Sequence, residues 1–351
     1  MAYTAIDNPE LYFQVKLYTG TGSSNAQTLD GDTDMQPDMV WIKKRNGATN
    51  HMVVDSVRGV TKTLVTNTTV TEDTDANSLT AFGTDGFTVG STGAFNGSSD
   101  TFVAWCWKAN GSGSSNTDGS INTTATSANT TAGISIVTYT GDEGSSATLG
   151  HGLGAVPKMI ITKGRTYASS WATYHNKITA DYWLQMCETD AEGDVNTIWN
   201  DTEPTSTLFT VGSSNQVNDA YNYVAYVFAE KQGFSKFGSY TGNGDDADGT
   251  FVYTGFKPSF VLVKKTSGTD DWTLSDHKRD VDVSPNFARL AANTTAVESE
   301  NIIWARINKF SNGFRPGGTD SVTNESGSTY IYMAFAEAPF VNSNGVPCNA
   351  R

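Results

Sequence analysis

The sequence predicts an all-β chain of three tandem β-sandwich domains of jelly-roll type. Three observations predict it. The tripeptide Tyr-Thr-Gly recurs at Tyr18, Tyr139 and Tyr240, each time ending an alternating segment. Eighteen or nineteen residues later a proline (Pro37, Pro157, Pro258) opens an apolar run. Each copy then closes on an aromatic strand: Phe102 to Trp107, Tyr223 to Phe228 and Tyr330 to Phe335. From proline to closing aromatic the spacing is 70, 71 and 77 residues, so the landmarks keep both order and distance.

Each element has a physical reason. The runs Met39 to Lys44, Lys158 to Lys163 and Ser259 to Lys264 are β-branched and apolar, and a proline at a strand's start removes no ladder hydrogen bond. The closing strands are apolar on both faces, which marks central strands covered on both sides. Gly86-Phe-Thr-Val, Leu208-Phe-Thr-Val and Gly313-Phe-Arg-Pro supply a further strand per copy. No long stretch has helical periodicity. With 34 glycines and only 17% charged residues, the polarity comes from Ser, Thr and Asn, which suits short strands and many turns.

These landmarks set the domain boundaries. Residues 1–12 form an N-terminal arm, 13–109 the first sandwich, 134–230 the second, 231–340 the third and 341–351 a C-terminal tail. Residues 110–133, rich in Gly, Ser, Asn and Thr, read as a flexible linker or an extended arm. The second and third copies join almost directly, as a fixed pair.

A net charge of −14 disfavours phosphate-backbone contacts, so nucleic acid is not an expected partner. Cys106, Cys187 and Cys348 are too few and too far apart for a disulfide framework or a metal motif, which suits assembly in a reducing cytosol. Neither a signal peptide nor an apolar span of membrane length is visible. No nucleophile elbow, phosphate loop or zinc-protease motif occurs, and an enzyme is not expected. His51, His175 and His277 fall in the same segment of each copy and read as inherited with the repeat.

Two sets of side chains are candidates for binding. Asp30, Asp32 and Asp34 alternate in a loop, as do Asp246 and Asp248 beside Asp245, and spaced carboxylates of this kind offer calcium ligands; no other cofactor is expected. Most of the eight tryptophans fall on repeated strand positions and read as core. Trp183, together with Tyr167 in the loop after the Pro157 strand, reads as a glycan-stacking contact.

The run Met1 to Phe13, the segment Met35-Gln-Pro-Asp-Met-Val-Trp-Ile-Lys-Lys-Arg45, Asp55-Ser-Val-Arg-Gly59, Leu79 to Phe87 and Val103-Ala-Trp-Cys-Trp-Lys-Ala109 resemble repeat-bearing structural proteins of marine tailed bacteriophages, of cyanophage and pelagiphage type. The second copy keeps Gly150-His-Gly-Leu-Gly-Ala-Val-Pro-Lys-Met-Ile-Ile, and the third has drifted furthest, at Asp280-Val-Asp-Val-Ser. The resemblance implies a lectin-like (concanavalin-like) sandwich and a virion protein made in the host cytoplasm. It implies a tail fibre or tail-associated adhesin that contacts host surface glycans. Other virion proteins are the expected partners, in a homo-oligomer with a trimer favoured. A head decoration or cement protein is the alternative, and a glycan-degrading tail spike the remote one.

Overall fold

The computed structural model describes residues 4–280, 287–299 and 305–348. The all-β class is what it shows: three large antiparallel sheets of six, seven and five strands, and three small sheets of three, two and three strands. Each large sheet with its small sheet forms a unit, and the three units follow one another along the chain. In each unit the aromatic closing strand (Thr101–Trp107, Asn222–Ala229, Thr329–Pro339) lies between the strand that ends in Tyr-Thr and the strand marked by the proline. That strand starts after Pro37, on Pro157, and two residues before Pro258, where the ladder is irregular.

The ladder registers make the landmarks equivalent: Met39 faces Trp107, Met159 faces Phe228 and Phe260 faces Phe335. Period-two alternation then explains why the closing strands are apolar throughout. In the first, Phe102, Ala104 and Cys106 face the small sheet, packing with Leu79, Phe87 and Val89. Val103, Trp105 and Trp107 face the other way, into a core shared by all three units. There the equivalent rings Trp107, Phe228 and Phe335 converge, with centroids 5.8 Å apart for Trp107–Phe335 and 6.1 Å for Phe228–Phe335. Phe13 joins them at 5.2 Å from Phe335, and Phe260 at 5.6 Å from Trp107. The units therefore close on one another around a common aromatic centre.

Tyr-Thr-Gly also acquires a cause. The hydroxyls of Tyr18, Tyr139 and Tyr240 donate to the carbonyls of Phe95, Val217 and Thr323 at 2.6, 2.7 and 2.7 Å. The residue after each acceptor is a buried asparagine, Asn96, Asn218 or Asn324, whose Oδ1 accepts from Thr21, Asp142 or Asn243 N–H in the loop after the tripeptide. The glycine of the tripeptide passes against that asparagine's backbone; a Cβ on Gly20, Gly141 or Gly242 would sit within 2.3 Å of a carbonyl oxygen. No side chain fits there.

The segment expected as a flexible linker is not one. Residues 110–133 contain the strand Ala125–Asn129, which pairs with Ile134–Thr140 at the edge of the second large sheet. Ser114 bridges Thr126, and Ile121 bridges Leu149 with its side chain buried in the second unit's core. Thr123, Thr126 and Ser127 are buried as well, so small hydroxylated side chains and backbone pairing do the work that apolar residues do elsewhere. The N-terminal arm reaches the joint between the second and third units, where Ala5 N–H donates to the Gln232 carbonyl.

Candidate functional site

Three equivalent interfaces join the units, and most of the buried ionisable groups are spent on them. Between the first and second, Arg58 pairs with Asp55 (2.5 Å) and Glu72 (3.1 Å), Glu72 takes Arg165 (2.9 Å), and the Tyr226 hydroxyl donates to Asp55. Between the third and first, Arg279 pairs with Asp276 (2.6 Å) and Glu298 (3.0 Å), Glu298 takes Arg45 (2.7 Å), and Trp105 Nε1 donates to Asp276. Burial alone would raise the Asp276 carboxyl, but the Arg279 guanidinium holds it below its ordinary value. Between the second and third the same positions carry His175, Ile178, Glu192 and Thr266. Here His175 Nε2 donates to the Tyr332 carbonyl at 3.2 Å instead. Lys43, Lys163 and Lys264, equivalent and buried, each donate to a carbonyl of the neighbouring unit (Thr295, Thr69, Thr189), and burial lowers each to about 8.

His51, His175 and His277 fall in or beside the equivalent strand of each unit, as the sequence suggests, but at three different positions of it. His51 is equivalent to Trp171 and Trp272, His175 to Asp55 and Asp276, and His277 to Ser56 and Asn176. The reason is that backbone register, not segment, defines equivalence. His277 Nδ1 lies 2.7 Å from Ser259 Oγ. That pair looks like a nucleophile and its base, yet Asp38–Ser56 and Lys158–Asn176 stand in the same place, and Ser259 is buried. It is a local variant of a repeated polar contact.

Burial lowers His175 to about 3 and His51 well below its ordinary value. Both stay neutral in the folded chain while the unfolded chain protonates near pH 6.5, so the unfolded state binds more protons below that pH. Stability is therefore expected to be full above pH 6.5 and to fall as the pH drops from there towards about 3. Denaturant midpoints measured from pH 7 to 4.5 check this, and His175→Gln, which keeps a donor to Tyr332, should flatten the slope.

Of the predicted glycan contacts, Trp183 is half-buried against the outer core of the second unit, over Gly193. Tyr167 lies in the loop after the strand Pro157–Gly164, whose end is four ladder rows or about 13 Å from the row of Trp183, so the two do not form one site. Trp41, Trp105, Trp107, Trp171, Trp199 and Trp272 are buried core; Trp304 lies outside the described residues. The candidate calcium ligands do not converge either. Asp30 is paired with Lys16 at 2.5 Å, and among the described residues no three His, Cys, Asp or Glu side chains gather as a metal-binding group.

Tyr167 instead stacks on Tyr221, with ring centroids 4.6 Å apart and planes 15° apart, and its hydroxyl accepts from Asn215 Nδ2 at 2.8 Å. The equivalent places in the other units explain the pair. Arg45, Arg165 and Thr266 each donate N–H to the closing strand (Thr101, Asn222, Thr329), which aligns the three loops. In the first unit Lys44 lies over Gly47 and pairs with Asp100 at 2.6 Å; in the third Lys265 lies over Gly268 and pairs with Glu325 at 2.5 Å. In the second unit the lysine is Gly164, the glycine is Tyr167, and the position of Asp100 is Tyr221. Both sister units keep the lysine and the glycine, but the acid comes from different positions, since Ser328 stands at the Asp100 position in the third unit and Glu325 lies three residues before it. The second unit carries a half-exposed aromatic platform in place of either ion pair.

That platform can bind by stacking and hydrogen bonding. Its neighbours Thr166, Asn215 and Asn222 are polar and exposed, and tyrosine offers an apolar face with a polar rim. The sequence singles out Tyr167 but not its stacking partner Tyr221, whose place beside an aromatic strand hides it. Among the described residues no helix is long and apolar enough to cross a membrane. A comparison with curated proteins finds no match. The family model of the domain of unknown function DUF7483 matches residues 8–339, a span that takes in all three units, and the chain belongs to that family.

Proposed function

We propose that the chain is a non-enzymatic virion structural protein, a tail fibre component or tail-associated adhesin that contacts host surface glycans through Tyr167 and Tyr221. The observation that carries the binding role is the stacked pair Tyr167 and Tyr221 at positions that are Gly47 and Asp100 in the first unit and Gly268 and Ser328 in the third. Core constraints do not require it, since each sister unit carries an ion pair there instead. The virion setting follows the resemblance of the first unit to tailed-phage structural proteins. Arm and supposed linker are both packed on the chain itself, which favours an adhesin over a decoration protein clamped by free extensions. In this reading one chain supplies the threefold arrangement that the sequence suggested for a homotrimer.

The test removes the aromatic pair with Tyr167→Gly and Tyr221→Asp together, and keeps Gly164, where a Cβ would lie 2.8 Å from the Tyr167 carbonyl oxygen. On an array of bacterial surface glycans the wild-type chain is expected to bind, and the double variant to lose tenfold or more, about 1.4 kcal/mol, with its melting temperature kept. Equal binding by both proteins would falsify the assignment. Immunogold labelling of purified particles reads the location, and label spread over the head would overturn the tail placement.

A further inference from the structure

We propose that the cleft at the joint between the second and third units is a separate binding site for a neutral saccharide, seated on Tyr253. The cleft has a volume of about 410 Å³, within the roughly 300–1,000 Å³ range of ligand pockets. Glu230, Gly233, Ser235, Lys236, Tyr253 and Gly255 line it.

Its openness comes from a loop length. In the equivalent ladders Gln27 faces Phe87, Leu149 faces Phe209 and Val252 faces Phe314. From there to the strand-opening proline the chain takes ten residues in the first unit, eight in the second and six in the third. In the first unit the longer loop is the acidic one, and it roofs the corresponding place. Gly31 N–H donates to Gln14 Oε1 at 2.9 Å, Asp32 N–H to Glu10 Oε2 at 2.9 Å, and Asp30 takes Lys16. What is left beneath is a space of about 20 Å³. The third unit lacks this roof, and Lys236 stands where Gln14 does.

The exposed side chains have changed with it. Phe251 and Tyr253 flank buried Val252 and are 47% and 60% exposed, where the sister units carry Ala26 and Thr28, or Thr148 and Gly150. An exposed aromatic face at the mouth of a cleft accepts the C–H face of a sugar ring. On the wall, Lys236 Nζ donates to Glu230 Oε1 at 2.8 Å, and both side chains are partly exposed. This pair offers sugar hydroxyls one charged acceptor and one charged donor with no net charge. An anionic ligand would meet Glu230 and a chain of net charge −14, so a neutral saccharide is the fitting class.

The test titrates the full chain with neutral hexasaccharides of glucose, of mannose and of N-acetylglucosamine, by saturation-transfer NMR and calorimetry. At least one is expected to bind. Tyr253→Thr, the residue of the first unit, should weaken it tenfold or more, and Lys236→Met should weaken it as well. The Tyr167/Tyr221 variant should leave this binding intact, which separates the two sites. Tyr253 is exposed, so its replacement should not disturb folding, and an unchanged melting temperature confirms that. No binding of any of the three, or binding unaffected by Tyr253→Thr, would overturn the proposal. A loss confined to the Tyr167/Tyr221 variant would assign the saccharide to the platform alone.

Discussion

Arg58→Ala should destabilise the chain by about 3–5 kcal/mol, the cost of removing one partner from a buried ion pair. With an unfolding entropy of about 2.1 cal/mol/K per residue, that is a fall in melting temperature of roughly 4–7 °C. Arg58 is wholly buried and binds Asp55, Glu72 and the carbonyls of Val53 and Lys62. Without it Glu72 keeps Arg165, but Asp55 keeps only the Tyr226 hydroxyl and the backbone N–H groups of residues 57 and 58. A carboxylate left buried without its cation is the main penalty. The chain contains its own control, because the second unit carries His175 and Ile178 at these positions. Asp55→His with Arg58→Ile removes both charges together and should lose less than Arg58→Ala alone. Guanidinium denaturation of the three proteins measures the difference; a double variant worse than the single would show that the ion pair contributes net stability rather than mutual neutralisation.

The same network shows what was legible in the sequence. Tyr18, Trp107 and their counterparts were readable because each keeps its place and contact in every unit. The closing strand's double-faced apolarity correctly implied cover on both sides. What covers the second face is a long-range fact: Val103, Trp105 and Trp107 meet the sheets of the other two units, and nothing local encodes that. Residues 110–133 misled because hydropathy does not register the burial of Thr123, Thr126 and Ser127. Alternation of Asp30, Asp32 and Asp34 in a loop resembles a cation site, but it does not show that the loop's backbone N–H groups bond Gln14 and Glu10. For the site the informative signal was comparative. Tyr167 alone is a loop tyrosine, but Gly164, Tyr167 and Tyr221 read against Lys44, Gly47 and Asp100 form one change.

Phe335→Ala is expected to have the largest effect of any single replacement, at or above the roughly 3–5 kcal/mol typical of a buried phenylalanine. Its ring contacts six others: Phe13 and Trp107 of the first unit, Phe228 of the second, and Phe234, Phe237 and Phe260 of the third. Neighbours drawn from three sheets cannot all collapse into the gap, so most of the cavity should persist. Because the centre belongs to every unit, the loss should not be confined to the third. Wild type should unfold in one transition, with calorimetric and van't Hoff enthalpies equal. The variant should stay cooperative at a lower temperature if the units share one core, and should split into separate transitions if each unit is stable alone. Isolated residues 110–230 would expose Ile134, Ile136, Met159, Tyr226 and Phe228, an apolar face with no cover, and should bind hydrophobic dye or self-associate where the full chain does not. The closed arrangement thus makes two kinds of position distinct. Rings such as Phe335 answer to all three units at once and are held in place, while partly exposed side chains such as Tyr167, Tyr221 and Tyr253 lie outside that shared centre and can change without opening a cavity in it.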